Sequence, residues 1–169
     1  MTNTTFWIVP PKIKVYEALS AIADGRVYFL DSSTWKQVTW DTSDTVVLPI
    51  KGEGKVSSSD RSKEYQVRWN LLEGRIRSDD NGSKWQGYLG YPAVAILMLT
   101  GKLPFSKTVA LYLRGIEWKT LNIRFKRDYA AVLEYVLDLV ADQNCRPPKI
   151  DEFVDEVMSE LRRVKCLKY

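Results

Sequence analysis

The arrangement of apolar and polar positions divides the chain into segments of different period. Behind a leader at residues 2–9, Pro10 and Pro11 pre-set a first helical turn, and Val15, Ala18, Leu19 and Ile22 follow at helical spacing until Asp24-Gly25 closes the helix. From Arg26 onward the period shortens. Segments 26–30, 34–40, 45–50, 55–57, 64–69 and 74–77 are short, mostly rich in β-branched and aromatic residues, and separated by polar turn sequences, which predicts an antiparallel meander. Asp80-Asn81-Gly82-Ser83 has the chemistry of a tight turn, since Asn-Gly tolerates positive φ. Pro92 then sits where a helix would start, and 93–99 is apolar on every side up to Gly101, as expected of a buried helix. A short helix over 106–113, ending at Gly115, and a long one over 127–142 follow.

The last segment, 150–167, begins after Arg146-Pro147-Pro148. Ile150, Val154, Val157, Leu161 and Val164 alternate spacings of four and three, with Phe153, Met158 and Leu167 widening the stripe. Such a seam needs cover. It can fold back onto Val132, Val136, Leu139 and Val140, or dock on another copy of the chain. The expected fold is α+β, with an antiparallel sheet of about four to five strands packed with helices and a C-terminal helical segment. Residues 1–127 would form the α+β domain, and 128–169 the helical segment, a homo-oligomerisation element in the second of those arrangements.

Composition narrows the chemistry. The 169 residues contain no histidine, the usual general acid/base and the commonest metal ligand near neutral pH. Histidine-based triads and His-ligated zinc are thereby out. Two cysteines, Cys145 and Cys166, suit neither a four-thiolate site nor an extracellular disulfide scaffold. No cofactor or metal is implied. The longest apolar run, 92–99, is far short of the roughly 20 residues of a membrane span, and no export signal precedes it, so a cytoplasmic protein without membrane contact is expected. Net charge is only +4, but positive charge gathers in the middle: residues 51–85 hold eight basic groups and six acidic, and 104–129 hold six and two. With 12% aromatic residues, that pattern raises nucleic acid as a partner, where rings stack on bases and cations neutralise phosphates. Core filling and surface solvation account for the same residues otherwise.

The densest stretch is 61–92. On a strand, Arg75 and Arg77 share one face and stand about 6–7 Å apart, a spacing suited to a phosphate backbone. In Tyr65-Gln66-Val67-Arg68-Trp69 the alternation groups Tyr65, Val67 and Trp69 and leaves Arg68 opposite, without saying which set is core. Trp85, Tyr88 and Tyr91 are interleaved with Gly87 and Gly90, which let a ligand or backbone come close and let flat rings stand clear. Base slots and a packed aromatic loop both fit these features. The run from Tyr16 to Arg26, then Val56-Ser57-Ser58-Ser59, then Ser78 to Pro92 with its apolar helix, resembles the archaeal ThermoDBP family of hyperthermophile single-stranded DNA-binding proteins, over roughly residues 8–103. The resemblance implies a small sheet packed with helices, an aromatic cleft edged with basic residues, and a helical C-terminal part able to mediate oligomerisation. The path into Gly90-Tyr91-Pro92 is also similar to a SWIM zinc hairpin, but Arg75, Arg77, Gly90 and Pro92 stand where its Cys and His ligands would be, which excludes zinc there.

The expected function is sequence-tolerant binding of single-stranded DNA, or of RNA, without bond-making. Trp69, Trp85, Tyr88 and Tyr91 would stack on bases, and Lys63, Arg68, Arg75, Arg77 and Lys84 would contact phosphates. Alternatives are an interaction module built on the C-terminal seam and a metal-dependent nuclease gathering Asp79 and Asp80 with Asp41, Asp44 or Glu73. The basic stretch 119–127 reads as a solvated helix entry, with a second DNA contact as the alternative.

Overall fold

A computed structural model describes residues 5–39, 47–141 and 149–169 of the chain. Helix α1 (Ile13–Ala23) is buried along its whole length apart from Lys14, and Asp24 and Gly25, at φ +66°, end it. Among the described residues six strands form one mixed sheet: β1 (Val27–Asp31), β2 (Thr34–Gln37), β3 (Lys51–Ser57), β4 (Glu64–Asn70), β5 (Arg75–Ser78) and β6 (Leu167–Lys168). Their order is β2-β1-β3-β4-β5-β6, antiparallel except for the β5–β6 pair. The architecture is α+β, as the sequence pattern predicts. The sheet departs from a simple meander because β3 returns to the far side of β1, pairing Val27 with Val56.

Strand β3 begins earlier than its composition suggests. Gly52 and Gly54 have the look of turn residues, yet both lie in the strand because the indole of Trp69 on neighbouring β4 packs across them. A Cβ at Gly52 would come within 2.8 Å of that ring, and one at Gly54 within 3.1 Å. Trp69 is 1% exposed, and its Nε1–H donates to the Pro49 carbonyl at 2.8 Å. The inward face of the sheet therefore carries Val27, Val56, Val67, Trp69 and Ile76, and Arg68 and Arg77 face outward as cross-strand partners. Of the strand expected over 45–50, residues 45 and 46 lie outside the described residues and 47–50 are not strand; Asp41, Asp44 and Cys145 also lie outside them.

Helix α2 (Tyr91–Leu99) fits between the inward sheet face and α1, so it is apolar all round and buried from Pro92 to Leu99. Three further helices complete the middle of the chain: α3 (Lys107–Tyr112), α4 (Trp118–Arg124) and α5 (Tyr129–Ala141). Helix α4 is the element the sequence pattern misses. It ends in a pair of backbone bonds, Lys126 N–H to the Ile123 carbonyl at 3.1 Å and Arg127 N–H to the Asn122 carbonyl at 2.8 Å, the geometry that glycine usually serves. Here Lys126 at φ +51° and Arg127 at φ +62° adopt it, so no glycine marks the stop.

Helix α6 (Ile150–Arg163) buries Ile150, Val154, Val157, Met158 and Leu161. It packs on α1, fixed there by the Tyr16 hydroxyl donating to Asp151 at 2.5 Å and by Lys12 bridging Asp151 and Asp155 at 2.6 and 3.0 Å. The seam is thus occupied within the chain by an element 135 residues away from its acidic end. The helix stops short of 167 because Leu167 N–H reaches the Gly74 carbonyl at 2.8 Å, pairing part of the free edge of β5. Core residues of α5 and α6 belong to the same hydrophobic cluster as those of α1, α2 and the sheet. Among the described residues no helix is long and apolar enough to cross a membrane.

Candidate nucleic-acid interface

The Asp80-Asn81-Gly82-Ser83 segment is not a positive-φ turn. Asn81 has φ −60°, the chain enters a single π-helical turn, Gly82–Gln86, and the left-handed residue is Gly87 at φ +71°. Packing explains the glycines on either side. A Cβ at Gly82 would meet the Tyr88 ring at 2.4 Å, and one at Gly90 would meet Asp80 Oδ1 at 1.9 Å. Asp80 is buried and accepts from the Ser78 hydroxyl at 2.7 Å, the Ser83 hydroxyl at 2.6 Å and the Ser83 N–H at 3.2 Å. Ser83 Oγ in turn accepts the Gly90 N–H at 3.0 Å. This network ties the end of β5, the π-turn and the start of α2 together, and so orients Trp85, Tyr88 and Tyr91.

These rings enter a cleft of about 700 Å³ on the helix side of the sheet. Its walls come from five places. Helix α1 supplies Lys14 and Glu17, and the β3–β4 connection supplies Ser58, Ser59 and Lys63; β4 adds Tyr65. The π-turn and α2 give Trp85, Gln86, Tyr88 and Tyr91, and α4 with the start of α5 gives Trp118, Lys119, Asn122, Ile123, Arg127 and Tyr129. Tyr65 and Tyr91 meet edge to face with centroids 6.2 Å apart at 89°. Trp85 is 72% exposed, which for the largest side chain means an uncovered ring face at the cleft. Burial raises the Tyr88 and Tyr91 phenols above their ordinary range, and Tyr65 is raised by burial and then by Asp80. All three stay protonated donors at neutral pH.

The cleft is basic but partly neutralised. Burial works against the Lys14 ammonium, yet Glu17, 2.9 Å away, more than offsets it and Lys14 is raised overall. Its ammonium also lies 5.4 Å from the Tyr129 ring centre. Lys119 donates to Asp60 at 2.7 Å and to the Ser62 hydroxyl at 2.6 Å, and with the Ser58 and Ser62 hydroxyls it holds the Asp60 carboxyl well below the usual carboxylate range. Arg26, fully buried, donates to the Ser57 carbonyl at 2.6 Å. Among the described residues no carboxylate pairs with Lys63 or Arg127, which leaves two cations ready for an anionic ligand.

Of the nine residues singled out from sequence, Lys63, Trp85, Tyr88 and Tyr91 converge on this cleft. Trp69 does not, because its indole fills the core above Gly52 and Gly54. Arg68 and Arg77 lie on the opposite, outward face, where Arg68 pairs with Glu53 at 2.8 Å, and Arg75 pairs with Glu73 at 3.6 Å. Lys84 stays outside the lining, its ammonium 5.1 Å from the Trp85 ring centre. Sequence reasoning missed Lys14, Tyr65, Trp118, Lys119, Arg127 and Tyr129. The signals were present: two charged residues three apart on a mostly apolar α1, and Trp118 heading the basic stretch 119–127, of which Lys119 and Arg127 form cleft wall.

The nuclease carboxylates do not assemble among the described residues. Asp79 accepts the Gln66 N–H at 2.8 Å, Asp80 is spent on serines, and among the described residues no group of three or more ligating side chains could hold a metal ion. In comparisons with known proteins, the model of a family described as uncharacterised conserved protein UCP014422 matches residues 7–167, so the chain belongs to that family. No curated protein matches the chain, and no solved structure does.

Proposed function

We propose that this member of the UCP014422 family binds single-stranded nucleic acid in the cleft between the π-turn and α4. One observation carries the reading: rings and cations far apart in sequence, from Lys14 to Tyr129, line a single groove in which one of two indoles, Trp85, is left uncovered. An uncovered indole within a groove, grouped with other rings, offers a flat apolar face to a partner. Base stacking covers such a face without regard to sequence, at about 1–3 kcal/mol per base. Trp85, Tyr88 and Tyr65 supply stacking surfaces, with Tyr91 and Tyr129 bounding the groove, and Lys63, Arg127, Lys14 and Lys119 meet the phosphates. Lys119 exchanges Asp60 for a phosphate when it does so. The reading agrees with what the ThermoDBP resemblance implies, but moves the cationic contribution from the outer sheet face to the cleft. Because the α6 seam is already covered by α1, an interaction module built on that seam finds less support.

The test is a titration of a fluorescein-labelled dT oligonucleotide at increasing salt, followed by anisotropy and by tryptophan fluorescence. Affinity should fall by about 0.7 log unit per log unit of salt for each phosphate neutralised, and Trp85 emission should be quenched. Arg127→Ala and Lys63→Ala should each flatten that slope, and Arg77→Ala should not. Absence of salt-dependent binding, or an Arg77 effect equal to the cleft effects, overturns the reading.

A further inference from the structure

Beneath the floor of the cleft two polar atoms have no partner among the described residues: the indole Nε1 of Trp118 and the amide Oδ1 of Asn122, both shut off from solvent. The two residues are four apart on α4, so they share one face of the helix, and both line the cleft. Trp118 as a whole is 3% exposed. The orientation of the amide follows from its other end, because Asn122 Nδ2 donates to Glu17 Oε1 at 2.9 Å and a carboxylate can only accept. Glu17 Oε2 is held by Lys14 Nζ at 2.9 Å. What remains is one free donor and one free acceptor on the same face of α4, both shielded from water.

Native proteins rarely leave such groups unpaired, and exceptions ask for an explanation. Neither stacking rings nor phosphate-binding cations need them. A phosphate offers acceptors only. A nucleobase edge presents N–H donors beside carbonyl or ring-nitrogen acceptors, which is the complement of this pair. We infer that the α4 end of the cleft reads the hydrogen-bonding edge of one base in the bound strand, with Asn122 Oδ1 accepting a base N–H and Trp118 Nε1–H donating to the neighbouring acceptor. The inference rests on the single-stranded nucleic-acid reading and sharpens it. Binding is sequence-tolerant at the stacked positions and selective at one, because groups buried before the ligand arrives lose heavily when the ligand cannot pair with them.

The test uses the full chain and a set of dT octamers in which each thymine in turn is replaced by 2,4-difluorotoluene, a base of the same shape that stacks without comparable hydrogen bonding. Replacement at one position should weaken binding about tenfold, the worth of one or two hydrogen bonds, and at the others by less than about twofold. In Trp118→Phe, which keeps a ring and removes the N–H, the penalty at that position should shrink several-fold. Uniformly harmless replacements overturn the inference while the binding function stands, and this arm needs no variant to fold. A penalty unchanged by Trp118→Phe also overturns it. Failure of the parent octamer to bind removes the binding reading itself, and the inference with it.

Discussion

Alanine at position 90 probes the network that orients the cleft. Gly90 has φ −70° and ψ 166°, a conformation open to any residue, so the substitution adds no backbone strain. Its cost is steric: the new Cβ would lie 1.9 Å from Asp80 Oδ1 and 2.4 Å from Asp80 Cγ. Relief requires the carboxylate to move by more than 1 Å, which breaks at least two of its three bonds to Ser78 and Ser83. At about 1.5–2 kcal/mol for each bond to a charged group, Gly90→Ala should lose roughly 3–4 kcal/mol. For a domain of this size that is a fall in Tm of about 6–16 °C. Asp80→Ala should cost a similar amount alone, by leaving the serine hydroxyls unpaired. Once Asp80 is gone the added methyl has space, so in that background Gly90→Ala should cost only about 0.5 kcal/mol or less. Urea unfolding followed by tryptophan fluorescence on the four proteins gives the cycle. A coupling of about 2.5–4 kcal/mol is expected. Additivity within about 0.5 kcal/mol would show that Gly90 and Asp80 do not share this contact, and the account of how Trp85 and Tyr88 are placed would go with it.

Three further outcomes follow from the same physics. Trp85→Ala should leave stability within about 0.5 kcal/mol of wild type and weaken oligonucleotide binding by about 1–3 kcal/mol, whereas Trp69→Ala should cost about 3–5 kcal/mol of stability; equal stability losses in denaturant would contradict the assigned faces. Lys126→Gly should stabilise by about 0.5–1 kcal/mol, since the residue already occupies the left-handed region at φ +51°, and an unchanged urea midpoint would count against stored strain there. Asp151 is held below the ordinary carboxylate value by hydrogen bonds from Lys12 and then Tyr16. Its folded pKa being the lower, its contribution is fully present above about pH 3.9 and is lost as pH falls through the folded value. Asp151→Asn should therefore flatten the acid limb of a stability–pH curve, and parallel curves for variant and wild type would refute the linkage.

Much of the local structure was legible because it depends on neighbours in sequence. The apolar spacing of α1, the all-round apolar α2 and the alternation of β4 and β5 each follow from period alone. So does the pairing of Arg75 with Arg77 on one face, and the absence of histidine disposes of several chemistries before any fold is known. Alternation states that Arg68 and Trp69 point in opposite directions; only the sheet states which direction is inward. That choice was settled by Gly52 and Gly54 on β3, whose missing side chains make room for the Trp69 ring. Read as turn residues, they concealed both the strand and the answer. Helix α4 was concealed similarly, because Lys126 and Arg127 hold the left-handed stop that glycine would have advertised.

The sequence by itself determined the fold class and the concentration of rings and cations between 61 and 92. Tertiary structure decided which of those residues meet. A cleft is built from surfaces that are non-local by nature: Lys14, Tyr65, Trp85, Lys119 and Tyr129 belong to separate elements, and no local period relates them. Burial partners were also decided there, since the α6 seam could be satisfied by any apolar stripe of matching shape and found it on α1, where Lys12 and Tyr16 complement Asp151 and Asp155. Hydrophobic patterning says that a face must be covered and, being non-directional, leaves the choice of cover to shape and charge.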